Sequence, residues 1–197
     1  MTSDPTYTAF RGQQRVLTAS LPDLLTHLKS EEAPTDVLVF DDQTGRQADF
    51  DLSGTLEDVL ARYAPAAPAK AGPGRPKLGV TPREITLLPR HWEWLDRQRG
   101  GASATLRRLI DEVRKANPEG EARAQAQAAT DRFLNVVAGD LPGYEEATRA
   151  LYAGDRAAFT ARMADWPADV SQHALYLAAA AFGAAFGSEA LAAPTGE

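Results

Sequence analysis

The chain contains no cysteine. Disulfides, thiolate zinc sites and cysteine nucleophiles are therefore excluded, and the composition suits a reducing compartment, so a cytoplasmic protein is expected. Histidine is scarce. His27, His91 and His173 have no partners at the spacing of a metal pair or a catalytic triad, so neither a metal nor a cofactor is expected. Long apolar runs are missing as well. The longest uncharged stretch, residues 170–188, includes Ser171, Gln172, His173 and many alanines. A spanning helix needs roughly 20 strongly apolar residues, so no membrane partner is expected. The first ten residues, MTSDPTYTAF, have neither the basic nor the apolar region of a secretory leader. No phosphate loop and no pair of carboxylates at catalytic spacing can be found. An enzyme is not expected, nor is a small-molecule substrate.

Charge is plentiful and unevenly placed. Residues 1–69 hold 5 Lys/Arg and 11 Asp/Glu, residues 70–115 hold 11 and 5, and residues 116–197 hold 5 and 11. The net charges are −6, +6 and −6, which sum to the −6 of the whole chain. A basic block between acidic flanks points to a polyanion partner. The same pattern also fits a basic middle that pairs with its own flanks.

Hydrophobic periodicity predicts an α+β protein. Residues 6–10 and 15–18 read as strands. Ser20 is placed to cap a helix over 21–29, in which Leu21, Leu24, Leu25 and Leu28 share one face. Residues 36–40 form a strand, Asp41-Asp42-Gln43-Thr44-Gly45 a solvated hairpin turn, 47–52 an alternating strand, and 54–63 a short helix. A small ββαββα domain over 1–63 follows. Residues 64–82 hold five prolines, three glycines and five alanines, a linker composition. Residues 117–187 carry helix starts at Asn117-Pro118 and Asp155 and stops at Gly139 and Gly154, as expected of a small helical bundle. Residues 188–197 read as a disordered tail.

The chain is organised around residues 71–116. An apolar run over 83–88 precedes a helix at 90–99 containing Trp92, Trp94 and Leu95. Gly100-Gly101 break that helix, and Ser103 is placed to cap a second one over 104–116. In the second helix Leu106, Leu109, Ile110 and Val113 make one face, and Arg107, Arg108, Asp111, Arg114 and Lys115 the other. A helical hairpin that packs Trp92, Leu95, Leu106, Leu109 and Ile110 into its own core fits these residues.

Strand, helix, glycine turn and a Ser-x-x-Leu-Arg-Arg-Leu-Ile-Asp-Glu helix also resemble the ribbon-helix-helix proteins. The resemblance implies a homodimer whose interface includes Ile85, Leu87, Trp92, Leu95, Leu106, Leu109, Ile110 and Val113. It further implies DNA contact by Arg83, by Arg107 and Arg108, and by the helix N-terminus at Ser103. Neither register of 83–88 presents the Arg, Lys, Asn or Gln pairs that read base edges, so backbone contact is expected rather than base readout. Upstream, Pro73-Gly74-Arg75-Pro76-Lys77 resembles the Gly-Arg-Pro core of an AT-hook. That likeness implies Arg75 and Lys77 in the minor groove of A·T-rich DNA; a plain linker is the other reading. The Gly-Arg-Pro-Lys-Leu-Gly stretch, the Leu-Leu-Pro-Arg-His-Trp-Glu-Trp-Leu stretch and Ala-Gly-Asp-Leu-Pro-Gly-Tyr-Glu-Glu-Ala at 138–147 together resemble a bacterial family with no assigned activity. The expectation is a homodimeric DNA-binding protein; the alternative is a dimerisation or protein-interaction module without nucleic acid.

Overall fold

The protein is described here from a computed structural model, which describes residues 5–30, 36–64 and 80–183. It is an α+β protein with two compact units. One comprises the described residues of Met1–Tyr63 and Glu119–Glu197, the other those of Ala64–Pro118.

The first unit is built on a three-stranded antiparallel sheet. Strands β1 (Thr6–Arg11) and β2 (Gln14–Ser20) form a hairpin, and β3 (Val37–Asp41) pairs on the other side of β1, giving the order β2-β1-β3. Thr8 lies opposite Thr18 on one neighbour and Phe40 on the other. Helix α1 (Leu21–Ser30) follows β2 directly, and the Asp23 N–H reaches Ser20 Oγ at 3.5 Å, as the capping expectation required. Alternation then decides what each sheet face meets. Ala9 and Val39 pack with Leu24 and Leu28 of α1, and Phe50 and Leu52 lie against that cluster. Phe10 and Phe40 point the opposite way, into the larger core.

That larger core corrects the expected division into an N-terminal domain and a separate bundle. Helices α5 (Pro118–Val137), α6 (Tyr144–Ala153), α7 (Arg156–Arg162) and α8 (Ala168–Leu177) bury Phe133, Leu134, Leu151, Phe159, Val170 and Leu177 in the same cluster as Phe10 and Phe40. Ring centroids of Phe133 lie 5.2 Å from Phe10 and 5.1 Å from Phe40. A sheet with two apolar faces must be covered on both. α1 covers one, so the C-terminal helices cover the other instead of closing on themselves.

Two further expectations give way in this unit. Residues 47–52 make one bridge, Phe40 to Gln47, not a fourth strand. The Asp51 N–H is taken by Tyr63 Oη at 2.7 Å and the Ser53 N–H by Asp51 Oδ1 at 3.0 Å, so local side chains replace the ladder. The Ala-rich helix expected over 168–186 is interrupted, and its residues 184–186 lie outside the described residues. α8 ends at Leu177, a 3₁₀ turn covers Ala179–Phe182, and Gly183 follows with φ 77°. Helix α2 (Leu56–Tyr63) buries Val59. The linker residues 65–79 and the tail 188–197 lie outside the described residues.

In the second unit, α3 (Pro89–Asp96) and α4 (Gly101–Ala116) form a hairpin. Residues 83–88 do not form the expected strand, because a strand needs a ladder partner and, among the described residues, none pairs with this stretch. Helix α4 starts three residues before the expected Ala104. Its N-cap is Gly100 at φ 91°, so Ser103 sits inside the first turn and does not cap it. Glycine at a positive φ lets the chain turn from α3 into α4 at low steric cost.

Candidate nucleic-acid interface and a buried acid–histidine pair

The basic face of the hairpin is built by α4. Arg107 and Arg108 are exposed, as are Arg83 in the preceding segment and Ser103 in the first turn. Arg108 Nη1 donates to Glu112 Oε1 at 2.8 Å, one turn along. An exposed pair of this kind is worth about 0.3–0.5 kcal/mol, so it does not hold the guanidinium against a stronger anion. Arg114 and Lys115 lie in the last turn, where positive charge complements the helix dipole. Arg75 and Lys77 lie outside the described residues.

The apolar face did not fold in as a helical-hairpin core. Leu95 and Thr105 are buried, Leu87, Leu106 and Leu109 are half-buried, and Ile85, Leu88, Trp92, Trp94, Ile110 and Val113 are exposed. Val113 is 71% exposed. Large apolar side chains gathered in one small unit and left in water mark a binding surface more often than chance exposure does. Of the residues named for the dimer interface, Ile85, Trp92, Ile110 and Val113 are exposed, and Leu95 is buried.

A second cluster lies in the first unit, where the turn after β3 meets β1 and α8. Asp42, expected on a solvated turn, is 1% exposed, and so is His173 of α8. The Thr6 hydroxyl donates to Asp42 Oδ2 at 2.8 Å and the Thr8 hydroxyl at 3.1 Å. Thr8 lies 2.9 Å from the Thr18 hydroxyl, which therefore supplies its own proton to that contact. Asp42 Oδ1 faces His173 Nε2 at 3.5 Å, and neither atom has a hydrogen-bond partner. The imidazole is stacked on the Tyr176 ring and set edge-on to Phe10 and Phe133. Burial raises the Asp42 carboxyl to about 6, against the opposing hydrogen bonds from Thr6 and Thr8. Burial, with the Arg15 charge, lowers His173 to about 3. Both groups are thus pushed toward their neutral forms. Sequence reading missed the pair because its members lie 131 positions apart in the chain (173 − 42); a lone histidine in a helix whose one charged residue is Asp169 was the available signal.

A shallow hollow of about 290 Å³ beside α7 and α8 is lined by Met163, Trp166, Ser171, Gln172 and Leu175 among others, with no charged residue. Among the described residues, no group of three His, Asp or Glu side chains could hold a metal ion, and no helix is long and apolar enough to cross a membrane.

A family described as "Uncharacterized protein conserved in bacteria (DUF2239)" matches residues 6–178. No curated protein matches the chain, and no solved structure does.

Proposed function

The chain belongs to this bacterial family, and we propose that it is a homodimeric DNA-binding protein that grips the phosphate backbone through its central hairpin. One observation carries the reading: the +6 block leaves Trp92, Trp94, Ile110 and Val113 in water on a unit whose described arginines are also exposed. In this reading two copies pair residues 83–88 into a ribbon and close the α4 faces over one another, as in ribbon-helix-helix proteins. Arg83, Arg107 and Arg108 of both copies then supply about six phosphate contacts. Arg75 and Lys77 extend the contact into a groove, with A·T-rich duplex favoured because its narrow minor groove concentrates negative potential.

The test is fluorescence anisotropy with short A·T-rich and G·C-rich duplexes over a salt series. Six contacts give a slope of about −5 in log K against log salt, or roughly a thousandfold loss between 50 and 200 mM. Arg75→Ala weakens the A·T-rich duplex selectively. Absence of binding at low salt defeats the proposal. A second reading, dimerisation or partner docking without DNA, is favoured by the lack of base-reading side chains in 83–88. It is the outcome if the protein self-associates yet binds neither duplex.

A further inference from the structure

The proposed function makes no use of the buried Asp42–His173 contact of the first unit. Two threonine hydroxyls fix one carboxylate oxygen, three rings enclose the imidazole, and the other carboxylate oxygen faces Nε2 at 3.5 Å. The turn that carries Asp42 is itself anchored. Arg132 of α5 donates to the Thr44 carbonyl at 2.7 Å, and the Asp42 N–H donates to the Thr6 carbonyl at 3.0 Å. Among the described residues, the other charged or titratable groups that act on the pair are Arg15 on β2, Asp41 beside Asp42, and Tyr176 on α8. Asp169 of α8 is engaged by the Arg15 backbone N–H at 2.9 Å.

We infer that Asp42 and His173 form a proton-compensating latch between the β3 turn and α8: in mild acid one proton resides on Asp42 in the folded chain and on His173 in the unfolded chain. Unfolding then moves this proton between residues without taking one up or releasing one. The two residues taken singly give opposite signs. Asp42 titrates near 6 when folded and at 3.8 when free, so the folded state alone gains its proton as pH falls from 6 toward 4, which stabilises the fold. His173 titrates near 3 when folded and at 6.5 when free, so the unfolded state alone gains its proton as pH falls from 6.5, which destabilises the fold. Between about pH 4 and 6 the two slopes cancel, and a buried polar pair that would otherwise make the core acid-labile leaves it indifferent to mild acid.

The test uses the full chain as wild type, Asp42→Asn and His173→Gln, unfolded by denaturant at half-unit steps from pH 4 to 7.5. The ratio of each variant's unfolding constant to the wild type's removes the background of all other carboxylates. For Asp42→Asn the ratio rises about tenfold per pH unit as pH falls from 6 to 4; for His173→Gln it falls about tenfold per unit over the same range. Flat ratios, or slopes of the same sign, overturn the inference. Nitrogen NMR of the wild-type imidazole gives an answer even where a variant fails to fold. His173 should remain neutral, with one protonated ring nitrogen, from pH 7.5 to 4.5. A doubly protonated ring anywhere in that range overturns the latch.

Discussion

Gly45→Ala tests the docking of the β3 turn on α5, which places Asp42 beneath α8. Gly45 has φ +64°, and a Cβ built there would stand 1.9 Å from the Ala129 carbonyl oxygen and 2.5 Å from its carbonyl carbon. Both are backbone atoms of a buried helix turn, so they do not swing aside; the turn must lift by more than 1 Å. The left-handed conformation alone costs an alanine about 1–2 kcal/mol. Lifting the turn also strains the Arg132 bond to the Thr44 carbonyl and the contacts of Asp42, each worth about 1 kcal/mol or more. The expected loss is about 3–5 kcal/mol. Gly12→Ala is the control, because Gly12 has φ +58° with nothing within 4 Å of its added Cβ. It pays the conformational term alone, about 1–2 kcal/mol. Urea denaturation followed by circular dichroism gives both values. Equal losses for the two variants, within about 0.5 kcal/mol, would refute the close approach of the turn to α5, because only that approach separates them.

Asp155 caps α7 by accepting from the Ala158 N–H at 2.9 Å, so Asp155→Ala should cost about 1 kcal/mol in denaturant titrations while Asp155→Asn retains most of it. Val113→Glu changes an exposed residue and should leave monomer stability within about 0.5 kcal/mol. In the proposed dimer the same change puts a carboxylate in the interface and should raise the dissociation constant at least tenfold by sedimentation; an unchanged constant removes Val113 from the interface. Arg107→Ala removes two phosphate contacts per dimer, so the salt slope should flatten by about 2, and an unaltered slope would mean that Arg107 does not touch DNA.

Local features of the fold were legible because their causes are local. The β1–β2 hairpin, the α1 stripe of Leu24, Leu25 and Leu28, the Asp155 cap and the stop at Gly154 all follow from a few neighbouring residues. Misreadings came where a distant element decided the outcome. Phe10 and Phe133 are 123 positions apart (133 − 10), and no periodicity announces that they share a core. The alternation at 47–52 resembles a strand until Tyr63 takes its backbone N–H. Turn chemistry placed Asp42 in water, but the Thr6 and Thr8 hydroxyls and α8 enclose it. At the candidate interface the residue types were readable and the helix start was not: Gly100 and Gly101, at positive φ, open α4 before Ser103 can cap it.

The two units dispose of their apolar residues differently, and the contrast bears on what the hairpin is for. In the first unit the large side chains of both sheet faces are buried, and even its buried carboxylate has partners. The hairpin has helices of 8 and 16 residues and buries little beyond Leu95 and Thr105. Helices of that length are marginal in water unless an apolar face is packed. The apolar surface that the hairpin leaves unpacked includes Trp92, Ile110 and Val113. At 100° per residue, Leu106, Leu109, Ile110 and Val113 fall within one stripe of α4, while Arg107, Arg108, Arg114 and Lys115 fall outside it. Covering the stripe with a second copy would therefore leave the arginines in water. In the proposed dimer, self-association and polyanion contact would use different faces of one helix, and Val113→Glu and Arg107→Ala separate them: the first should weaken both, the second only the contact with DNA.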